Sequence, residues 1–577
     1  MKKTLLCCAI FLAALAGYRQ IAGAVSQPRA LIAGTISDSS LVTLAGNTRP
    51  EATAANDRGA VAADLPMEHM LLQLRRAPEQ EDALDKYLAE VEDPKSPNYH
   101  HWLTADEFGA RYGLASEDLT AISNWLKSHG FAVNRVYPNG IVIDFSGTAG
   151  QVSAAFHTAI HSLEVNGKAH TANMSDPRIP AAVAPAVMGV VSLNDFRPRA
   201  MNKPRAAYTF SNSSCQSGVT GNPDCFTVVP ADLATIYNLN PVFAAGYSGQ
   251  GQTIAVIEDT DLYKTSRQPY DQDWTTFRSV LGLASAYPEG SLSQVHPGNC
   301  ADPGIVVGAD GEAAIDAEWS TAAAPSAAIE VVSCADTQTT FGGFIGMENL
   351  LNGSGMPPAV MSISYGESEA QLGATQNAFI NSLYQQAVAA GVSVFVSAGD
   401  EGAASSDAGA TYAAQGITVS GFTSTPYNVS IGGTDFEDSY EGDNSTYWSG
   451  SNGAGYGSAL SYIPEIPWND SCASGLIAKY LDYPTTYGSS GLCNSDQGLF
   501  VVGGSGGPSG CATGTPSTNG VVSGSCAGYH KPDWQSVFGN PADGVRDTPD
   551  VSLFAADGIW NHFYLACYSD VAGGGAS

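Results

Sequence analysis

The sequence predicts an α/β protein with a doubly wound parallel sheet, preceded by a small α+β domain. Downstream of residue 226, short apolar runs alternate with helical patterns, which is typical of parallel strands joined by right-handed crossovers. Upstream of residue 197, capped helices surround a hairpin pattern, which indicates a separate compact unit. The length of 577 residues allows two or three domains and a sizeable core.

The first unit is predicted to become ordered near Leu65, after a leader rich in Ala, Ser and Gly at 25–60. Hydrophobic periodicity, capping residues and turn residues then predict its elements in order. They are a strand at 70–76, an amphipathic helix at 79–91, helices that begin at Thr104 and Ser116, hairpin strands at 133–136 and 141–145 around Tyr137-Pro138-Asn139-Gly140, and a helix at 150–158.

The second unit is predicted to contain four short apolar strands, at 253–258, 328–332, 359–364 and 392–397. Helical patterns lie between them at 312–324 and 374–390, and Gly391 is expected to end the second helix. The stretch 421–573, rich in Gly, Ser and Asn, is predicted to form long loops around the sheet. In such a sheet the functional site lies at the carboxyl ends of the strands.

Acidic residues dominate the composition, with 56 Asp and Glu against 25 Lys and Arg. This balance argues against nucleic acid as a partner, because a polyanion would be repelled. After Cys225 there are six basic residues against 35 acidic ones. Such a surface gains positive charge slowly in acid, so either work at low pH or simple solubility explains the bias.

The N-terminus is predicted to be an export signal over 1–24. Lys2 and Lys3 precede an apolar run at 5–16, and Ala22-Gly23-Ala24 fits a cleavage site. We therefore expect a secreted or periplasmic protein, and no later apolar run reaches the roughly 18 residues that a membrane span needs. Export also allows disulfides.

Nine cysteines remain after the signal, and sequence proximity suggests four pairs that leave Cys567 over. The suggested pairs are Cys215/Cys225, Cys300/Cys334, Cys472/Cys493 and Cys511/Cys526. No Cys-x-x-Cys motif or Cys/His cluster predicts a zinc site, so no metal ligand is predicted from the sequence.

The segment from Gly311 to Trp319 places Glu312 and Asp316 four residues apart, which brings both carboxylates to one face of a helix. A solvated helix face is the ordinary interpretation of such a pair. The alternative is a pair that shares a proton, in which one pKa is raised because two close carboxylates resist ionising together. The rest of the chain has to decide between the two.

Two predicted strand ends carry further polar residues, in Ser364-Tyr365-Gly366 and Ser397-Ala398-Gly399-Asp400. A Ser nucleophile needs a base, and after residue 200 only His296, His530 and His562 are available, none in a recognisable motif. A carboxylate can act as the base where the working pH is low, and a protonated Asp can donate to an oxyanion.

These features together resemble the sedolisin family of serine-carboxyl peptidases, which share the subtilisin fold and are made with a kumamolisin-type activation prodomain. The first unit resembles the prodomain signature over 93–104 and at Glu107-Phe108-Gly109. The second unit resembles the family at 311–316, 362–366, 397–400, 429–434 and 546–552. Each motif is short, and their order and spacing carry the resemblance.

The resemblance implies a role for each matching residue. Ser577 would be the nucleophile, with Ala576 where the family has Thr. Glu312 would be the general base and then the acid, with Asp316 orienting it and sharing its proton, and Asp400 would stabilise the oxyanion. Ser364, Tyr365 and Gly366 would line the substrate cleft.

The family also implies a bound calcium ion, in a site built after the nucleophile. Because the sequence stops at Ser577, we expect a truncated precursor that lacks these calcium ligands, whose own activity is uncertain. Two other residues were weighed. Asp259 follows an apolar strand, and Ser505 lies in a glycine run that suggests a surface turn. Trp319 and Tyr365 are expected to pack or to form a pocket wall.

The predicted organisation is a signal at 1–24, an activation prodomain at 50–197, a linker with the processing site at 198–226, and a peptidase domain at 227–577. The predicted function is that of an acid-active endopeptidase, monomeric, that cuts polypeptides and is inhibited by its own prodomain. Tripeptidyl aminopeptidase activity and an inactive peptide- or polysaccharide-binding homologue remain alternatives. A glycosidase is disfavoured, because its two carboxylates must flank a sugar about 5–10 Å apart.

Overall fold

The computed structural model describes residues 28–201, 226–264, 272–495 and 500–569. The predicted signal, the Cys215/Cys225 pair and Ser577 lie outside these ranges. No described helix is long and apolar enough to cross a lipid bilayer.

The first unit is an α+β fold, as predicted. Its strands are β1 Leu41–Thr43, β2 Asp57–Ala60, β3 Pro66–Leu74, β4 Ala132–Val136, β5 Val142–Thr148, β6 Ile160–Val165, β7 Lys168–Asn173, β8 Arg178–Pro180, β9 Val187–Val190 and β10 Arg199–Ala200. Its helices are α1 Pro78–Glu92, α2 Ala105–Tyr112, α3 Ser116–Ser128 and α4 Ala149–Phe156.

The main sheet of this unit has four antiparallel strands in the order β4-β5-β3-β9. The predicted capping box is present, since the Thr104 hydroxyl accepts from the Glu107 N–H and the Glu107 carboxylate accepts from the Thr104 N–H. The predicted hairpin joins β4 and β5, and its Tyr137–Gly140 turn points at the second unit, where Asn139 is fully buried.

The second unit is organised around one large sheet. Its strands are β11 Phe226–Val228, β12 Thr253–Glu258, β13 Ser291–Val295, β14 Ala328–Ser333, β15 Val360–Ile363, β16 Tyr365–Gly366, β17 Ser393–Ser397, β18 Val429–Phe436, β19 Glu465–Pro467, β20 Gly507–Pro508, β21 Asp547–Thr548, β22 Val551–Phe554 and β23 His562–Tyr564. Its helices are α5 Pro230–Ile236, α6 Asn240–Ala244, α7 Gln272–Val280, α8 Leu283–Ala286, α9 Asp310–Ala323, α10 Gly342–Leu351, α11 Glu369–Ala389, α12 Asp438–Glu441, α13 Asn444–Tyr447 and α14 Gly475–Tyr480.

The large sheet has eight strands in the order β13-β14-β12-β15-β17-β18-β19, with β22 also paired to β18. Every pair in it is parallel except β18 with β19. The predicted α/β class with a mainly parallel sheet is confirmed. The four predicted strands form its centre, because β-branched apolar runs suit strands buried on both faces.

Helix α11 begins at Glu369, five residues before the predicted start, and contains a break at Gly373, where φ is +76°. The Glu369 carboxylate accepts N–H groups from Gly510 and Cys511, so this first turn is held by a distant loop that local periodicity cannot reveal. The helix also packs against α1 and α2 of the first unit.

A single buried cluster runs through both units, so the first unit docks on the second through a shared core rather than a wet interface. Its members include Leu72 and Phe108 from the first unit and Phe344, Phe379 and Leu383 from the second. The stretch 421–569 does not only form loops around the sheet, as predicted, but also supplies strands β18, β19 and β22 of the large sheet. Three of the suggested disulfides are present: Cys300–Cys334, Cys472–Cys493 and Cys511–Cys526.

Candidate active site

Helix α9 carries the carboxylate pair and presents it to the interior. Its sequence is rich in Ala, which favours a helix, and Asp310 in the first turn suits the positive end of the helix dipole. Glu312 is only 2% exposed and Asp316 is partly buried. The interpretation of a solvated helix face is therefore excluded for Glu312.

Asp316 is held by the end of strand β15. The Ser364 hydroxyl lies 2.8 Å from Oδ1 and 2.9 Å from Oδ2 of Asp316 and donates to that carboxylate. Burial raises the pKa of Asp316 to about 6, while hydrogen bonds from Ser364 and Glu258 oppose the rise. Asp316 can therefore gain or lose a proton in mild acid.

Glu258 is a third carboxyl group at this site, and the sequence analysis missed it. It is the last residue of β12 and is fully buried. Burial raises its pKa well above the ordinary value, and the charges of Asp316 and Glu312 raise it further. Glu258 therefore keeps its proton in the folded state, next to the titrating group of Asp316.

Tyr365 joins this network from the neighbouring strand. Its hydroxyl lies 2.9 Å from Oε2 of Glu258 and 3.0 Å from Oδ1 of Asp259. Burial, and then the charge of Asp336, raise the pKa of Asp259 to about 6. The Tyr365 hydroxyl has a single proton, so it can donate to only one of the two carboxyl groups. The other contact is a hydrogen bond if that second carboxyl group is protonated and donates to the Tyr365 oxygen. Asp259 is thus in contact with the candidate site through Tyr365.

Strand β16, predicted to line the substrate cleft, is covered by the chain that leaves the first unit. Strand β10 pairs with it antiparallel, with Arg199 opposite Gly366 and Ala200 opposite Tyr365. The Met201 N–H then donates to the Ser364 carbonyl at 2.8 Å. Within the predicted linker at 198–226, sheet pairing with β16 therefore holds Arg199 and Ala200.

Two arginines of the first unit hold this segment in place. Arg49 is 6% exposed and forms an ion pair with Glu367, directly after β16, at 2.7 Å. Arg197 forms an ion pair with Asp336 at 3.1 Å and donates to the Thr337 carbonyl. Because Arg49 and Arg197 are largely withdrawn from water, these pairs are screened less than surface pairs.

Asp400 lies three residues beyond β17, at the strand end next to β15. It is 8% exposed, and its N–H donates to Oε2 of Glu401. Ser505 is buried and its hydroxyl accepts from the Glu401 N–H at 2.9 Å. The interpretation of Ser505 as a surface turn is therefore wrong: it supports the loop that carries Asp400.

The structure thus joins Asp316 to Ser364 and Glu258 to Tyr365, and it places Asp400 on the adjacent strand end. Trp319, on the same helix as Asp316, donates to the Leu565 carbonyl and packs on Tyr564, so it is a packing residue. Ser577 lies outside the described residues.

Calcium prefers six to eight oxygen ligands. Within the ranges that the structure describes, the one group of three metal-ligating side chains close enough to share an ion includes an imidazole, which does not fit calcium. Calcium stays an expectation drawn from the resemblance, and no step proposed below uses it.

Comparison with known proteins bears on both units. The pro-kumamolisin activation domain family matches residues 53–196. The chain is 28% identical to kumamolisin of Bacillus sp. (strain MN-32), over 74% of this chain and 73% of that protein. It is 25% identical to sedolisin of Pseudomonas sp. (strain 101), over 86% of this chain and 72% of that protein.

A more distant relative is tripeptidyl-peptidase 1 of Rattus norvegicus, 23% identical over 65% of this chain and 63% of that protein. The activation domain family matches the first unit. Residues 53–196 are therefore assigned to a pro-kumamolisin activation domain, and over most of its length the chain is similar to kumamolisin and sedolisin.

Proposed function

We propose that the chain is the secreted precursor of an acid-active serine-carboxyl endopeptidase, and that its activation domain inhibits it by occupying the substrate cleft. The observation that carries this proposal is the pairing of β10 with β16 beside the carboxylate network. Peptidases commonly bind polypeptide as an added antiparallel strand, so β10 stands where a substrate would.

The proposed chemistry is acyl transfer to water. Glu312 removes the proton of the Ser577 hydroxyl as the oxygen attacks the peptide carbonyl, and Asp400, when protonated, donates to the oxyanion. Glu312 then gives its proton to the leaving amine, which leaves an acyl-enzyme. A water molecule, deprotonated by Glu312, attacks the ester, and the proton returns to Ser577 as the acid product leaves.

Asp316 and Glu258 are proposed to tune this base rather than to react. Glu258 keeps its own proton, and Asp316 can accept a hydrogen bond from Glu312 once Glu312 has taken up the proton of Ser577. The pKa of Asp316, about 6, means that the network changes its protonation in mild acid. Catalysis by carboxyl groups with such values favours a working pH below neutral.

The pairing register also bears on where the precursor is cut. The Ser364 carbonyl accepts from the Met201 N–H, and the Ser364 hydroxyl donates to Asp316. Ser364 therefore connects Met201, directly after β10, to the carboxylates. We therefore expect the first cut close to the bond that follows Met201. Arg199 and Ala200 would then occupy the preceding positions of the cleft, against Gly366 and Tyr365.

A tripeptidyl aminopeptidase is the second candidate, because a relative bears that name. The two activities differ in whether a substrate with a blocked N-terminus is cut. Release of internal fragments from an N-acetylated peptide supports the endopeptidase, whereas release of tripeptides from a free N-terminus only supports the alternative.

The test is hydrolysis of casein at about pH 4 by the purified precursor. We expect activity in the unmodified protein, its loss in Glu312→Ala, and unchanged activity in a matched control at an exposed glutamate, Glu289→Ala. Activity that survives Glu312→Ala at the normal rate would overturn the proposal.

A further inference from the structure

A second cluster of ionisable side chains lies at the same edge of the sheet as the candidate active site, on the outer strands. Asp261 follows β12 by three residues, and His296 follows β13 directly. Asp302 lies in the loop that continues from His296, two residues after Cys300. Since β13, β14 and β12 are adjacent and parallel, their carboxyl ends bring these residues together.

The three side chains converge on one point. Nε2 of His296 lies 2.9 Å from Oδ1 of Asp261, and one ligand atom from each of the three residues lies within 4.8 Å of the others. Asp261 is 4% exposed, while His296 is partly buried and Asp302 is exposed. The cluster is therefore a buried carboxylate with an opening to solvent.

The surroundings fix this arrangement. The Ser333 hydroxyl, at the end of β14, donates to Oδ1 of Asp261 at 2.7 Å. The next residue, Cys334, is bonded to Cys300, which ties the loop of Asp302 to the sheet. Gly304 accepts from the Asp261 N–H and donates to Oδ1 of Asp302, both at 2.8 Å.

We propose that Asp261, His296 and Asp302 form a binding site for a divalent transition-metal ion, with Zn²⁺ as the best fit. One imidazole and two carboxylates are a ligand set that Zn²⁺ accepts, at about 2.0–2.2 Å from each donor atom, with a fourth position left to water. The nitrogen ligand and the small ligand number disfavour calcium and magnesium.

The charge of the cluster and the orientation of its ligands support the same assignment. Two carboxylates outnumber one imidazole, so the cluster is electronegative whether or not the imidazole is protonated, and a divalent cation is attracted to it. Ser333 holds the Asp261 ligand in orientation, as residues behind a metal ligand commonly do. The site is also distinct from the candidate active site, whose carboxyl groups contact Tyr365 and Ser364 instead.

The chain contains a matched pair that lacks the third ligand. His161 and Asp57 are 2.8 Å apart, and the His161 side chain is as exposed as that of His296, 22% in each case. No third metal-ligating group among the described residues lies close enough to complete that pair. His161→Ala therefore reports what any His–Asp ion pair contributes to metal binding.

The experiment is titration of the metal-free full chain, purified without a histidine tag, with Zn²⁺ at about pH 7 by competition with a chromophoric chelator, and with Co²⁺ by visible absorption. We expect one tight equivalent and the intense Co²⁺ bands of a four-coordinate site. Asp302→Asn and His296→Ala should weaken binding at least 10-fold, Ser333→Ala about 10-fold or more, and His161→Ala not at all.

Asp302 is exposed, so Asp302→Asn is expected to fold even if His296→Ala does not. A rise in the unfolding temperature with added Zn²⁺ should appear in the unmodified chain and in His161→Ala, and disappear in Asp302→Asn. Tight Zn²⁺ binding that survives both Asp302→Asn and His296→Ala would overturn the proposal. It would also be overturned if the unmodified chain bound Zn²⁺ no more tightly than these two variants do. Peptidase activity enters none of these readouts.

Discussion

At the scale of residues, the site is a group of carboxyl side chains, and the surroundings of each one determine whether it is protonated. Glu258 is fully buried, and burial raises its pKa well above the ordinary value. Asp316 is partly buried and its pKa, about 6, is held down by hydrogen bonds from Ser364 and Glu258. Glu258 therefore keeps its proton, and Asp316 is the group that titrates in mild acid.

This assignment predicts how substitutions at Glu258 behave. Glu258→Gln keeps an uncharged side chain of the same shape and an oxygen for the Tyr365 hydroxyl, so we expect it to retain most of the activity. Glu258→Ala removes one partner of the Tyr365 hydroxyl and leaves a cavity in a buried site, so we expect at least a 10-fold loss of kcat. The measurement is kcat on a peptide substrate as a function of pH.

The two variants separate a proton donor from a charged group. If Glu258 acted as a carboxylate, Gln would be as damaging as Ala, because an amide cannot carry the charge. Equal loss in both variants therefore contradicts the assignment. Val256→Ala, on the same strand and fully buried, controls for a general loss of packing.

Residue patterns could predict part of this site and not the rest. Glu312 and Asp316 were predicted because four-residue spacing on a helix is visible in sequence. Glu258 was not, because it ends an apolar strand and reaches Asp316 only through the order of strands in the sheet. Local sequence patterns cannot reveal that the two residues are neighbours, because Glu258 and Asp316 lie 58 positions apart in the chain.

At the scale of elements, the hairpin β4–β5 acts as a polar plug between the two units. The Asn139 amide nitrogen donates to Gln386 at 2.8 Å and to Glu348 at 3.2 Å, and its backbone N–H donates to Asn352 at 3.0 Å. Glu348 is buried, and burial raises its pKa to about 8. Asn139 therefore satisfies the Gln386 amide oxygen and adds to the bond that Glu348 accepts from the Asn352 side chain.

We predict that Asn139→Ala loosens the activation domain. Leaving the buried Gln386 amide oxygen without this donor costs about 1–3 kcal/mol, so the hairpin region should open more often. Hydrogen exchange of the α10 and β4–β5 amides should become faster. Asn134→Ala, on the same hairpin but bonded only to Asp144 and Ser146, is the matched control.

An unchanged exchange rate in Asn139→Ala, or an equal increase in Asn134→Ala, would contradict the role given to this turn. The turn itself was predicted from Tyr137-Pro138-Asn139-Gly140, since turn residues act locally. Its docking was not, because the partners lie more than 200 residues away along the chain. The pairing of β10 with β16 escaped prediction for the same reason.

At the scale of the whole molecule, several buried groups keep their protons in the folded state. The pKa values of Asp316 and Asp259 are raised to about 6, that of Glu348 to about 8 and that of Asp470 to about 9, all mainly by burial. His562 is fully buried between Asp435 and Asp438, and their hydrogen bonds and charges raise its pKa to about 9 against the opposing effect of burial.

These shifts predict that acidification from about pH 9 to about pH 5 stabilises the fold. At a pH between its ordinary and its raised pKa, such a carboxyl group binds a proton in the folded state and releases it on unfolding. The free energy of unfolding therefore falls as pH rises through this range. His562 acts in the same direction, because its ion pairs are lost as pH rises through about 9. The unfolding temperature should therefore be higher at pH 5 than at pH 8.

Glu348→Gln provides the internal check, measured by thermal unfolding in a Glu312→Gln background that prevents self-cleavage. The substitution removes a carboxyl group whose pKa is raised to about 8 in the folded state. The increase in the free energy of unfolding from pH 8 to pH 5 should therefore be smaller by on the order of 1 kcal/mol or more. A chain that is more stable at pH 8 than at pH 5 contradicts this account.

The α/β class, the parallel sheet and the acidic composition were all accessible from sequence, because strand and helix periodicities are local and charge is additive. The shared core was not, since it arises when two separately patterned units bury apolar faces against each other. The central claim is that one unit inhibits the other by presenting residues 199–201 as a substrate to the carboxylate network.

Intact mass spectrometry of the acidified precursor tests this claim most directly. Brief exposure to about pH 4 should release an N-terminal fragment that ends at or next to Met201, and Glu312→Gln should leave the precursor uncut. Processing of Glu312→Gln at the normal rate, or a first cut inside the first unit, would show that the carboxylate pair does not cut the segment that β10 presents.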